Sequence, residues 1–123
     1  MFWGCLSLSN APILPALELK YGCYDSMFRD CINIKTTPVL PATVLAPHCY
    51  ESMFSGCTGL SSAPALPALK LDKECYERMF KNCTNILSSP IFPKSISRDD
   101  IIKAESSEMF YGCNADMQDF FTN

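Results

Sequence analysis

The stretch CYESMFSGC, residues 49–57, decides how this chain is read, because it returns as CYDSMFRDC at residues 23–31 and as CYERMFKNC at residues 75–83. Working outward, the Met-Phe pair recurs at Met1-Phe2, Met27-Phe28, Met53-Phe54, Met79-Phe80 and Met109-Phe110, with steps of 26, 26, 26 and 30 residues. The cysteine three residues after each Phe keeps the same steps, as Cys5, Cys31, Cys57, Cys83 and Cys113. Two proline columns follow, Pro12/Pro38/Pro64/Pro90 and Pro15/Pro41/Pro67/Pro93, and they enclose Leu14, Leu40, Leu66 and Phe92. Leu8, Ile34, Leu60 and Ile86 precede them, and Leu19, Leu45 and Leu71 make a further column. The whole chain is one array of about four and a half copies, and self-similarity at such a period marks units that bury their apolar side chains only by stacking on their neighbours.

The apolar positions Cys49, Tyr50, Met53, Phe54 and Cys57 fit one stripe of an α-helix, with Glu51, Ser52, Ser55 and Gly56 on the other face. An acid in the first turn of each full copy (Asp25, Glu51, Glu77) suits the positive end of a helix dipole. The column Gly4, Asp30, Gly56, Asn82, Gly112 holds the residue types that tolerate a left-handed backbone, which predicts a helix C-cap. Each phrase is therefore expected to be a helix of about two turns. The segment between the prolines is expected to be a very short parallel strand or a polyproline-like piece, with Leu66 inward and Ala65 outward, because proline cannot donate to a sheet ladder. The four extra residues within FPKSISRDDIIKAESSEMF should bulge from one face without breaking the stack.

This order of residues, with Cys49, Phe54, Cys57, Leu60, Leu66 and Pro67 as the matching positions of one copy, resembles the BspA-type leucine-rich repeat family of bacterial surface proteins. The resemblance covers essentially the whole chain. It departs in the added proline column and in a unit about three residues longer. The expected fold class is an α/β solenoid, a right-handed leucine-rich-repeat-like coil with 26-residue repeats, forming a single unit over residues 1–123. The resemblance implies a secreted or surface-anchored protein of a host-associated bacterium, acting in adhesion or binding and not as an enzyme. Met1 falls in the repeat's own Met column, so the chain reads as a fragment of a longer protein.

Eight cysteines invite a disulfide or metal reading, and geometry weighs against both. Equivalent residues of stacked copies would lie about 4.8 Å apart, but their side chains would point in parallel and not at each other. Cys49 and Cys57 would be separated by about 12 Å along a helix, too far to share one zinc ion. There is no Cys-x-x-Cys, and His48 is the only histidine. The cysteines are expected to be small buried hydrophobes without metal. The class alternative is a cysteine-rich redox or metal-handling protein.

No catalytic constellation, metal site or cofactor site is expected. His48 sits in a variable turn whose equivalents are Gly22 and Glu74, with no carboxylate or nucleophile placed beside it in a recurring way. The Asn82-Cys83-Thr84 acceptor pattern is set aside, since a bacterial origin and a buried Cys83 leave it no use. The net charge of −3 argues against nucleic acid as a partner, and no apolar stretch is long enough to insert in a membrane. The candidate ligand face is the outward row Ile13, Val39, Ala65 and Ile91, flanked by Thr37 and Ser89, which would take a protein or glycan ligand. The opening MFWGCLSLSN crowds Phe2, Trp3, Cys5, Leu6 and Leu8 together, which suggests end-to-end self-association through the first copy.

Overall fold

A computed structural model of the protein describes residues 2–121; Met1, the first member of the Met column, lies outside them. The repeated phrase sends its backbone donors in two alternating directions. In the copy from residue 22, the N–H groups of Gly22, Tyr24, Ser26, Phe28 and Asp30 donate to the carbonyls of Pro47, Cys49, Glu51, Met53 and Ser55 in the next copy, at 2.7–3.0 Å. The intervening N–H groups of Cys23, Asp25, Met27, Arg29 and Cys31 each donate three residues back within the phrase, at 3.1–3.2 Å. The next copy repeats the scheme, from His48, Tyr50, Ser52, Phe54 and Gly56 to Lys73, Cys75, Glu77, Met79 and Lys81.

These bonds overturn the expected fold class. An α-helix pairs each N–H with the carbonyl four residues back, whereas residues 49–57 make no such bond. Among the described residues there is no β-strand, and the only α-helices are α1 (Arg98–Lys103) and α2 (Ala115–Gln118), followed by a 3-10 turn at Asp119–Phe121. All three lie outside the repeated phrase. Parallel pairing between copies is limited to four isolated bridges, Asn10–Thr36, Glu18–Val44, Val44–Lys70 and Ala65–Ile91. The chain is neither an α/β coil nor a leucine-rich-repeat solenoid: among the described residues there is no sheet, and no helix in the repeated phrase.

The physical reason lies in the spacing itself. Cys49, Met53 and Cys57 are four residues apart, as are Tyr50 and Phe54. In an α-helix four residues turn through about 400°, so such a column drifts by about 40° at each step. A chain of turns that repeats every four residues keeps the column straight. It needs a left-handed residue at each fourth position, and these are Gly22, Ser26 and Asp30, then His48, Ser52 and Gly56, then Glu74, Arg78 and Asn82, all with φ between +52° and +76°. A left-handed non-glycine residue costs about 1–2 kcal/mol, and the bonds to the next copy offset that cost. The extended segment fails to become a strand for a different reason. Leu66 N–H reaches Ile91 O at 2.9 Å, but Pro64 and Pro67 flank it without donors, so the pairing cannot propagate.

The core is made of files of identical side chains. Phe2, Phe28, Phe54, Phe80 and Phe110 stack with centroids 5.5–5.8 Å apart and planes within 11°. Tyr24, Tyr50 and Tyr76 form a parallel file at 6.0–6.1 Å. Met53, Met79, Met109, Ile34, Leu60 and Ile86 are fully buried around them, with Leu40 and Leu66 nearly so. Each such side chain contributes about 1.5–3 kcal/mol by leaving water. The Tyr file ends where Ser106 takes the tyrosine's place: its hydroxyl accepts from Tyr76 N–H at 3.1 Å. Phe92 meets the Tyr76 ring edge-on at 6.0 Å, and the buried Tyr76 hydroxyl has no hydrogen-bond partner among the described residues.

The four added residues form a local bulge containing α1. Ser97 Oγ accepts from Asp100 N–H while the Asp100 carboxylate accepts from Ser97 N–H at 2.8 Å, a reciprocal cap. These hydrogen bonds hold the Asp100 carboxyl below its usual range, the backbone N–H of Ser97 acting most strongly. Ile101 anchors the helix in the core.

Two outcomes follow from this packing. Gly56 has φ +76°, and a Cβ there would run into the Asp30 carboxylate of the preceding copy. Gly56→Val should cost about 1–2 kcal/mol in thermal unfolding, and an unchanged melting temperature would contradict the turn assignment. Tyr76→Phe removes an unpaired buried hydroxyl and should stabilise by about 1 kcal/mol. A loss of stability in urea titration would mean that the hydroxyl is satisfied in solution.

Candidate functional site

The outward row emerges where the proline columns hold the chain extended, since Leu14, Leu40 and Leu66 point inward and force their neighbours out. Ile13, Val39 and Ile91 are 87%, 80% and 74% exposed, and Ala65 is exposed beside them. The structure does not bring all six candidate residues into one site. Thr37, Val39 and Ala65 share a groove of about 240 Å³ whose remaining wall is proline, from Pro38, Pro41, Pro64 and Pro67, with Leu40. The short side chain of Ala65 leaves the dip beside Val39. Ile91 adjoins this groove through its parallel bridge to Ala65. Ile13 and Ser89 are exposed but do not line it. A second, larger groove of about 620 Å³ lies between residues 69–73 and the bulge, with Asp72, Lys73, Asp100 and Lys103 on its walls. Trp3, in the candidate self-association patch, is exposed; its indole N–H donates to Asp30 at 3.2 Å, and the Arg29 guanidinium lies 4.3 Å over its ring.

All eight cysteines are free thiols. Cys31, Cys49, Cys57, Cys75, Cys83 and Cys113 are buried as expected of small hydrophobes, but Cys23 is exposed and Cys5 partly so. Cys23 has Cys49 as its column neighbour on one side and none on the other among the described residues. The column of Cys31, Cys57, Cys83 and Cys113 does more than fill space. Each thiol donates to the carbonyl of the Phe in the preceding copy, Phe2, Phe28, Phe54 and Phe80, at 2.8–3.0 Å. The same four carbonyls accept the N–H of the cysteine in their own copy. Burial pushes the Cys49 and Cys57 thiols up to about 12 and the Cys75 thiol up to about 11, and it raises Cys83 further. Such thiols stay protonated, which is the form that can donate.

One constellation escaped the column pattern. His48 Nδ1 lies 2.7 Å from Glu51 Oε2 and 3.1 Å from Glu74 Oε2, and all three side chains are half-buried. His48 and Glu74 hold the same position in successive copies, and Glu51 follows His48 by three residues in the phrase. The Tyr21 ring packs 5.2 Å from the imidazole on the other side. Each member is legible in the sequence, and stacking of equivalent positions lays His48 over Glu74, but a pattern sought in every copy misses a cluster that forms between one pair of copies.

The raised thiols make stability depend on pH in a defined direction. A thiol whose folded pKa exceeds its unfolded value stabilises the fold fully below the unfolded value, and this stabilisation is lost as pH rises toward the folded one. The unfolded reference is 9.0 and the folded values for Cys49, Cys57 and Cys75 lie at about 11–12. Urea midpoints should therefore hold up to about pH 8 and then decline through pH 9–11, by about 1.4 kcal/mol per pH unit for each such thiol. Cys83→Ala should make that decline shallower while lowering stability at neutral pH. Midpoints that stay flat to pH 11 would show the thiols to be accessible.

No family model, curated protein or solved structure matches this chain.

Proposed function

We propose that the chain is a non-enzymatic structural and binding module of a bacterial surface or secreted protein, working in adhesion or protein-ligand binding. The observation that carries this reading is the exposed row Ile13, Val39, Ala65 and Ile91, one residue per copy, held outward by flanking prolines. The localisation rests on the resemblance to BspA-type surface proteins. The occupant is an extended, uncharged protein segment laid across the copies. The groove is walled by proline and aliphatic side chains and offers few backbone donors, so recognition runs through apolar burial at one side chain per copy. A glycan would call for aromatic platforms, and the groove has none, with the Thr37 hydroxyl as its single polar side chain. The alternative class, a cysteine-based redox or metal-handling protein, is disfavoured by buried thiols that are committed as donors and raised away from the thiolate form.

The test uses a fluorescently labelled octapeptide of alternating valine and threonine, read by anisotropy against the full chain. Binding should be insensitive to salt, because the row carries no charge. Val39→Asp combined with Ile91→Asp should weaken it at least about tenfold, an energy of about 1.4 kcal/mol, with thermal unfolding unchanged because both positions face solvent. Equal binding by this variant, or binding only to a glycan array, would refute the reading.

A further inference from the structure

We propose that His48, Glu51 and Glu74 form a binding site for a divalent cation of the zinc class, and that the ion fastens two successive copies together. The donors are one imidazole nitrogen, Nδ1, and one oxygen from each carboxylate, all within 4.8 Å of one another. Nδ1 faces both carboxylates, at 2.7 and 3.1 Å. It can offer them a single proton, and one proton cannot make a good linear bond to two acceptors. Two carboxylates also bring two negative charges to an imidazole that carries at most one positive charge. A divalent ion at the same place meets the nitrogen lone pair and both oxygens, and it balances the carboxylate charge.

The spacing suits this exchange. Ligands at tetrahedral angles around an ion, each about 2.1 Å from it, sit about 3.4 Å apart, so the oxygens now 2.7 and 3.1 Å from Nδ1 need to open by well under 1 Å to admit it. The backbone fixes where the ligands start: His48 N–H is bonded to Lys73 O at 2.9 Å, Glu51 N–H to His48 O at 3.3 Å and Glu74 N–H to Ala104 O at 2.6 Å. His48 and Glu74 are both left-handed, at φ +58° and +52°, so both begin from the same local geometry one copy apart. The nitrogen donor selects against calcium and magnesium, which prefer all-oxygen sites. The lack of sulfur among the three ligands selects against ions that require thiolate. Partial exposure leaves the remaining coordination positions to water. Among the described residues the site occurs once, because this repeat position reads Gly22, His48, Glu74 and Ala104, and the middle pair alone supplies two ligands.

The experiment is a titration of the full chain, kept reduced with a non-chelating phosphine, with Zn²⁺ followed by calorimetry and Co²⁺ by visible absorption. The expected result is one ion per chain, no thiolate-to-cobalt charge-transfer band, and a melting temperature that rises with Zn²⁺ concentration because the ligands converge only in the folded stack. Glu74→Gln, which keeps the side-chain shape, should weaken binding at least about tenfold, as losing even a supporting partner does. His48→Asn, which still accepts the left-handed backbone, should abolish it. Circular dichroism of the metal-free variants checks that both remain folded. The proposal is overturned if the wild type shows neither stoichiometric binding nor a melting shift. It is equally overturned if both variants bind as the wild type does, or if a thiolate band appears and vanishes in Cys23→Ser.

Discussion

The interaction on which the rest depends is the hydrogen bond from one copy's backbone to the next. Five N–H groups donate forward to the following copy in each of the copies from residues 22 and 48, and in the third copy Glu74, Phe80 and Asn82 do so, with Tyr76 N–H donating to the Ser106 hydroxyl. That fixes the separation of the copies, and the separation fixes everything stacked on it: the Phe file, the Tyr file and the thiol bonds. Removing these donors from intraphrase pairing is what prevents a helix. The apolar side chains then meet like with like, ring on ring and methionine beside methionine, so the identity of a residue matters as much as its hydrophobicity.

The cysteines answer to the same constraint. The carbonyls of Phe2, Phe28, Phe54 and Phe80 each use two acceptor directions, one for the cysteine N–H of their own copy and the other for the thiol of the next. Alanine would leave the second direction empty in a buried place. Serine would bring a stronger donor at a greater desolvation cost. A small, soft, weakly donating side chain satisfies both demands, which gives the recurrence of cysteine at positions 31, 57, 83 and 113 a reason that needs neither a bridge nor a metal.

What was legible in the sequence was the column structure: which residues are equivalent, which are buried, and which face out from the proline segments. Phe28, Phe54 and Phe80 lie in one buried file, and Leu66 points in while Ala65 points out, as the alternation requires. The left-handed column at Asp30, Gly56 and Asn82 was legible too, because its residue types advertise it. The conformation between these landmarks was not. Ser26, Ser52 and Arg78, and likewise His48 and Glu74, are left-handed with no compositional mark, so apolar residues at steps of four read as a helix. The His48–Glu51–Glu74 cluster comes from the superposition of residues 26 apart, and a search for carboxylates that recur in every copy passes over it because it forms between one pair of copies.

The forward donation has an electrostatic consequence. The peptide groups Met27–Phe28, Cys49–Tyr50, Met53–Phe54 and Met79–Phe80, which link copies on both sides, all point N–H toward higher residue numbers and C=O toward lower ones. Their dipoles add, as they do along an α-helix, although no helix is present in the phrase. One side of the molecule is thus polarised lengthwise, positive toward the last copy. The acids Asp99, Asp100, Glu105, Glu108, Asp116 and Asp119 gather at that end, against Arg98 and Lys103. Each further copy in such a register would lengthen the dipole by one increment, so the field of the array scales with its repeat number.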